Sequence, residues 1–139
     1  MATSTSFRIT DAARTRLAAQ ASREGTSATA VLDRLITEGT DQLDYPGIVF
    51  RGPAHDRRAA LAGGPDVWEV IARLRELDGS EEQRIDLLSS ESALHPRLIR
   101  IALDYAAERP DDVMARIERN RDLIERSRTA SHRREAMLA

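Results

Sequence analysis

Ser4-Thr5-Ser6-Phe7-Arg8-Ile9-Thr10-Asp11 opens the stretch whose reading decides the fold. Phe7 and Ile9 alternate with Ser6, Arg8 and Thr10, the period of two of a half-buried strand. Asp11 offers a carboxylate to cap a following helix. Ala13, Leu17 and Ala21 then recur every four residues, which predicts a helix over 12–24, and Gly25 is placed to end it. Ser27 is a good cap for a second helix over about 28–42, where Val31, Leu32, Leu35 and Ile36 form an apolar stripe that Leu43 extends. The expected order is strand, helix, glycine turn, helix.

A segment this short cannot enclose a core. Domains below roughly 40 residues need a metal, disulfides or association. Cysteine is absent, and His55, His95 and His132 lie too far apart in sequence to form a ligand pair. A lone strand also needs a partner for its amides. The expectation is a homodimer whose N-terminal strands pair antiparallel. Phe7, Ile9, Leu17, Val31 and Leu35 would form its shared core, and Ser6, Arg8 and Thr10 of both chains would project as one ribbon.

The Phe7-Arg8-Ile9-Thr10 alternation, Asp11 at the first helix, and Gly25-Thr26-Ser27-Ala28-Thr29-Ala30-Val31-Leu32 across the turn resemble the ribbon-helix-helix family of DNA-binding repressors (the Arc, MetJ and CopG type). The resemblance covers residues 1–44. It implies an intertwined dimer, with a tetramer on DNA as an option, whose ribbon enters the major groove of operator DNA. Ser6, Arg8 and Thr10 would contact bases, and Ser27, Ala28 and Thr29 would grip phosphate. The chemistry is compatible. A guanidinium can contact guanine O6 and N7 together, and free amides at a helix N-terminus bind anions. The ribbon carries one arginine where family members often show two or more basic residues. A dimerisation module that does not touch DNA is the competing reading.

Residues 45–126 read as a second, helical domain that opens with a hairpin. Gly47-Ile48-Val49-Phe50 is a strand signal, Gly52 and Pro53 mark a turn, and Arg58-Ala59-Ala60-Leu61 can return antiparallel. Asp66 with Glu69 and Ser80 with Gln83 have capping-box spacing. Pro96 and Pro110 suit first helical positions, and Ser89 to Leu94 reads as a loop. Helices over 80–88 and 96–108 fit a helix-turn-helix with Arg97 and Arg100 near the start of the second, although solvated arginines on an ordinary helix explain them as well. Trp68 reads as core, and Glu81-Glu82 and Asp111-Asp112 as helix-start carboxylates. Residues 127–139 lack apolar spacing and read as a disordered, Arg-rich tail.

Tyr45-Pro46-Gly47-Ile48-Val49-Phe50 and Gly63-Gly64-Pro65-Asp66-Val67-Trp68-Glu69-Val70 resemble a helical domain of VapB-like antitoxins. That resemblance implies a toxin partner, a PIN-type ribonuclease, with Arg119, Arg121, Arg126, Arg128, Arg133 and Arg134 as the candidate toxin contacts.

The chain has 139 residues with 21 basic and 23 acidic side chains, a net charge of −2. Every cation is arginine. The total does not mark a strongly basic nucleic-acid binder, but residues 1–35 carry five arginines against Asp11, Glu24 and Asp33. No Ser/His/Asp order, metal-ligand motif or glycine-rich nucleotide loop occurs, so neither an enzyme nor a cofactor is expected. No apolar run reaches the roughly 18 residues of a membrane span, and a cytoplasmic location without a membrane partner is expected. The reading is a mainly α fold: an N-terminal ribbon-helix-helix, a short β-hairpin linker and a C-terminal helix-turn-helix-like domain. The expected function is an antitoxin and autorepressor. A transcriptional regulator without a toxin, and a purely structural dimerisation adaptor, are the alternatives.

Overall fold

A computed structural model describes residues 2–139. The molecule is mainly helical, and it divides into two compact units that meet between Leu43 and Asp44.

The first unit contains α1 (Asp11–Glu24) and α2 (Ala28–Asp44). The expected N-terminal ribbon is absent: the chain begins with two helices, and residues 2–10 are exposed and without regular structure. A strand is held by hydrogen bonds to a neighbouring strand. Among the described residues the two strands lie elsewhere and pair with each other, so alternation at 4–10 finds no ladder to join. This arrangement overturns the ribbon-helix-helix architecture and its intertwined core. The helix start moves as well. Thr10, not Asp11, caps α1, its hydroxyl accepting from the Ala13 amide at 3.1 Å. Gly25 ends α1 in the left-handed conformation at φ 66°, where its amide reaches back to the last turn. Ser27 opens α2 by accepting from the Ala30 amide at 3.1 Å.

The second unit begins with β1 (Ile48–Arg51) and β2 (Arg58–Leu61), an antiparallel pair in the register Ile48↔Leu61 to Arg51↔Arg58. Gly52 starts the connecting turn at φ 101°, and a Cβ there would lie 2.3 Å from the Asp56 carbonyl oxygen. Only glycine fits both conditions. Four helices follow: α3 (Val67–Glu76), α4 (Glu81–Ser92), α5 (Pro96–Glu108) and α6 (Pro110–Leu138). Helix α3 packs against β2, α4, α5 and α6. It contributes Val67, Val70, Ile71 and Leu74 to a core completed by Ile48, Leu61, Ile85, Leu88, Ile99, Ala102, Tyr105, Val113 and Ile117. The Tyr105 ring meets Tyr45 and Phe50 edge to face at 5.5 and 6.3 Å.

Two boundaries differ from the sequence reading. Helix α4 runs on to Ser92, through the first four residues of the expected loop, and ends at Ala93 with φ 60°. Helix α6 does not stop near 126. It continues to Leu138 over 29 residues, about 43 Å at 1.5 Å per residue. The expected disordered tail is therefore a helical extension. No glycine or proline follows Pro110, and the Arg, Glu, Ala, Met and Leu that dominate the segment are strong helix formers. Absent apolar spacing means only that this stretch has no apolar packed face: residues 127–129 and 132–139 are exposed, and Ala130 and Ser131 are half-buried.

Candidate functional site

In the first unit, Ser6, Phe7, Arg8 and Ile9 lie on the exposed N-terminal segment, and Thr10 is engaged as the cap of α1. Ser6, Arg8 and Thr10 therefore do not share a ribbon face. The expected core residues separate: Phe7 and Ile9 are exposed, Leu17 is half-buried, Val31 is fully buried and Leu35 is half-exposed. The candidate phosphate site is a helix start. Ser27 caps it, while Ala28 and Thr29 are exposed, and amides in a first helical turn have no intrahelical acceptor.

Helix α2 has two dissimilar faces. At about 100° per residue, Val31, Arg34, Glu38 and Asp41 fall on one arc, and each of them is buried or half-buried. Arg34 grips Glu24 of α1 with both ends of its guanidinium, at 2.5 and 2.9 Å. Its Nε lies 3.8 Å from the Glu38 carboxylate. The hydrogen bond to Glu24, more than the charge attraction, raises the Arg34 pKa further above its ordinary value. Ala28, Leu32, Leu35, Ile36, Gly39 and Leu43 fall on a different arc, about 100° wide by the same helical spacing. Leu32, Leu35, Ile36 and Leu43 are exposed. An added Cβ at Gly39 would meet nothing within 4 Å. Across the first unit's described residues, Ala21 and Val31 are the buried apolar side chains.

In the second unit, the hairpin turn is latched to α6. Arg116 donates to the Asp56 carboxylate at 2.6 Å and to the Arg57 carbonyl at 3.1 Å. Arg58 and Arg119 approach the same carboxylate at 3.7 and 3.9 Å. The Arg116 hydrogen bond, reinforced by these charges, holds the Asp56 carboxyl below the ordinary aspartate range. Asp66 is buried and accepts from Arg58 Nε at 2.7 Å and Trp68 Nε1 at 3.2 Å. Trp68 is thus half-buried structure with its N–H committed. His95 caps α5, with Nδ1 accepting from the Arg97 amide at 3.0 Å. Arg100 is paired with Glu82 of α4 at 2.8 Å, whereas Arg97 is exposed.

The candidate toxin contacts do not form one cluster. Arg119 reaches toward Asp56, and Arg121 lies 3.8 Å from Glu118. Arg126, Arg128, Arg133 and Arg134 are exposed along the α6 extension.

Sequence reasoning missed two grooves beside α3. One, of about 380 Å³, has Ile71, Leu74 and Leu103 among its lining, with Arg75, Glu81 and Arg84. The other, of about 400 Å³, lies between α3 and α6 and is lined in part by Ile117, Ile124, Arg75, Arg121, Glu125 and Arg128. No local motif announces them, because each joins residues far apart in the chain, in the second from Ala72 to Arg128, 56 positions.

Among the described residues, no group of three or more His, Asp or Glu side chains is placed to hold a metal ion, and no helix is long and apolar enough to cross a membrane. Comparison with protein-family models, curated proteins and solved structures finds no match to this chain.

Proposed function

We propose that the protein is a non-enzymatic, homodimeric regulator of the antitoxin type. The first unit joins two copies through the apolar stripe of α2, and the second unit holds a partner protein, a toxin nuclease encoded beside it. The observation that carries this reading is the imbalance within the first unit. Its buried apolar side chains are Ala21 and Val31, whereas Leu32, Leu35, Ile36 and Leu43 lie exposed along one side of one helix. An amphipathic helix is stabilised chiefly by burying its apolar face. A second copy supplies the same stripe in a self-complementary interface.

Dimerisation also doubles the basic groups of the first unit. Arg8 on the exposed N-terminal segment, with the free amides of Ala28 and Thr29 at the α2 start, supports a role in binding operator DNA phosphate and base edges. The resemblance of residues 45–125 to an antitoxin domain supports the toxin partner.

Sedimentation equilibrium on the full chain tests the association. The expected mass is twice the 15.5 kDa of one chain, and a mass of one chain at all concentrations refutes it. Co-expression with the neighbouring reading frame tests the partner. A stoichiometric complex supports the antitoxin role, and independent migration of the two proteins removes it. A gel shift on the upstream region tests operator binding.

A further inference from the structure

The two grooves beside α3 are both lined by Arg75, so they adjoin at that side chain, and the adjoining pair makes up a trough. Apolar side chains line both grooves, Ile71, Leu74 and Leu103 in one and Ile117 and Ile124 in the other, the second sharing its lining with polar groups. Three of the trough's four arginines have no carboxylate partner among the described residues; the fourth, Arg121, lies 3.8 Å from Glu118. Arg58, Arg73, Arg100 and Arg116 are each paired with a carboxylate at 2.6–2.8 Å. Arg75 touches only the Met114 sulfur, at 3.4 Å. Arg84 donates to two backbone carbonyls, of Gly79 at 3.0 Å and Leu74 at 3.4 Å. Among the described residues, Arg128 makes no ion pair. Of the acids that line the trough, Glu76 is already held by Arg73 at 2.9 Å, leaving Glu81 and Glu125.

A guanidinium without a carboxylate, beside apolar side chains, is complementary to an anion carried on an apolar surface. Each groove falls in the size range of a binding cleft. Two adjoining grooves, each with apolar and cationic side chains in its lining, fit a segment of chain rather than a compact small molecule. The geometry points to this trough as the docking site for an acidic amphipathic segment of the partner protein. Its apolar side chains would enter at Leu74 and Leu103 and at Ile117 and Ile124, and its carboxylates would meet Arg75, Arg84 and Arg128. The inference rests on the reading of the second unit as a partner-binding domain, and it names the chemistry of that partner.

The test uses the full chain and a fluorescein-labelled peptide of leucines on one helical face and glutamates on the other. A peptide with lysine in place of glutamate, and one of scrambled order, serve as controls. The acidic peptide binds saturably and weakens with salt. The Arg75→Glu/Arg128→Glu variant binds it at least tenfold more weakly, whereas Arg97→Glu/Arg133→Glu, the same charge change outside the trough, does not. Amide shifts of Leu74, Leu103, Ile117 and Ile124 move on binding. Arg75→Gln/Arg128→Gln gives an intermediate loss, and circular dichroism checks that both variants keep their helices. Absence of saturable binding overturns the inference. So does equal binding of the lysine peptide, or an equal loss in Arg97→Glu/Arg133→Glu. A chain that is dimeric and retains its co-encoded partner, yet fails this test, refutes the trough alone. A chain that retains no partner refutes the underlying reading.

Discussion

Replacing Leu35 and Ile36 together by alanine separates the two copies while leaving each chain folded. Leu35 and Ile36 keep 50 and 55% of their surface in water within one chain. Full burial of such a side chain contributes about 1.5–3 kcal/mol, so roughly half of that, about 1 kcal/mol each, remains to be gained at an interface. Two side chains in each of two protomers give about 4 kcal/mol, or on the order of a thousandfold in Kd. The loss is large against the surplus that survives the 4–15 kcal/mol or so of lost rigid-body freedom on association. Alanine is the strongest helix former, so α2 itself does not unravel from low propensity. Sedimentation velocity over a concentration series reads the Kd, and circular dichroism reads the helix content. A double variant that associates as tightly as the native chain refutes the stripe as the interface.

Ile99 is fully buried at the centre of the second unit, and Ile99→Ala is expected to cost about 2–5 kcal/mol, measured by urea unfolding. Asp56→Asn removes the carboxylate from Arg116, and hydrogen exchange across residues 52–57 is expected to rise while the core amides stay protected. The native Asp56 carboxyl is held low by Arg116. Its contribution is therefore complete above the ordinary aspartate value of about 4. It is lost as pH falls through the depressed folded value, and the Asn variant lacks that acid-side loss. Deleting residues 127–139 is expected to lower the helical signal while changing the stability of the second unit by under about 0.5 kcal/mol, because its α6 core residues are Val113 and Ile117.

Local chemistry was readable where one or two residues decide it. Ser27 at α2, the reciprocal Ser80–Gln83 bonds at 3.2 and 2.8 Å, and Pro96 at the α5 start all act within one turn of themselves. The Ile48–Leu61 pairing was also legible, because strand and turn signals lie together in sequence. The N-terminal alternation misled for a physical reason: Phe7 and Ile9 specify a face, but a strand exists only if another strand accepts its amides. The tail misled in the opposite direction, since helix propensity is independent of apolar spacing. The stripe on α2 was visible as periodicity, but its separation from the Arg34–Glu24 pair required the folded hairpin. The trough was not legible, because Arg75 and Arg128 become neighbours only when α6 packs on α3.

The central claim, that two copies meet along the α2 stripe, is most directly tested by cysteine cross-linking. The chain contains no cysteine, so one introduced thiol reports one position. Gly39 lies near the centre of the stripe with open space at its Cβ, and Leu35 lies one turn away. A disulfide forms only when Cα atoms come within about 7 Å. Mild oxidation of Gly39→Cys and Leu35→Cys is predicted to give covalent dimers at twice 15.5 kDa, whereas Thr37→Cys, on the far side of α2, stays a single chain. Monomeric Gly39→Cys and Leu35→Cys, or Thr37→Cys cross-linking at the same rate, would contradict it.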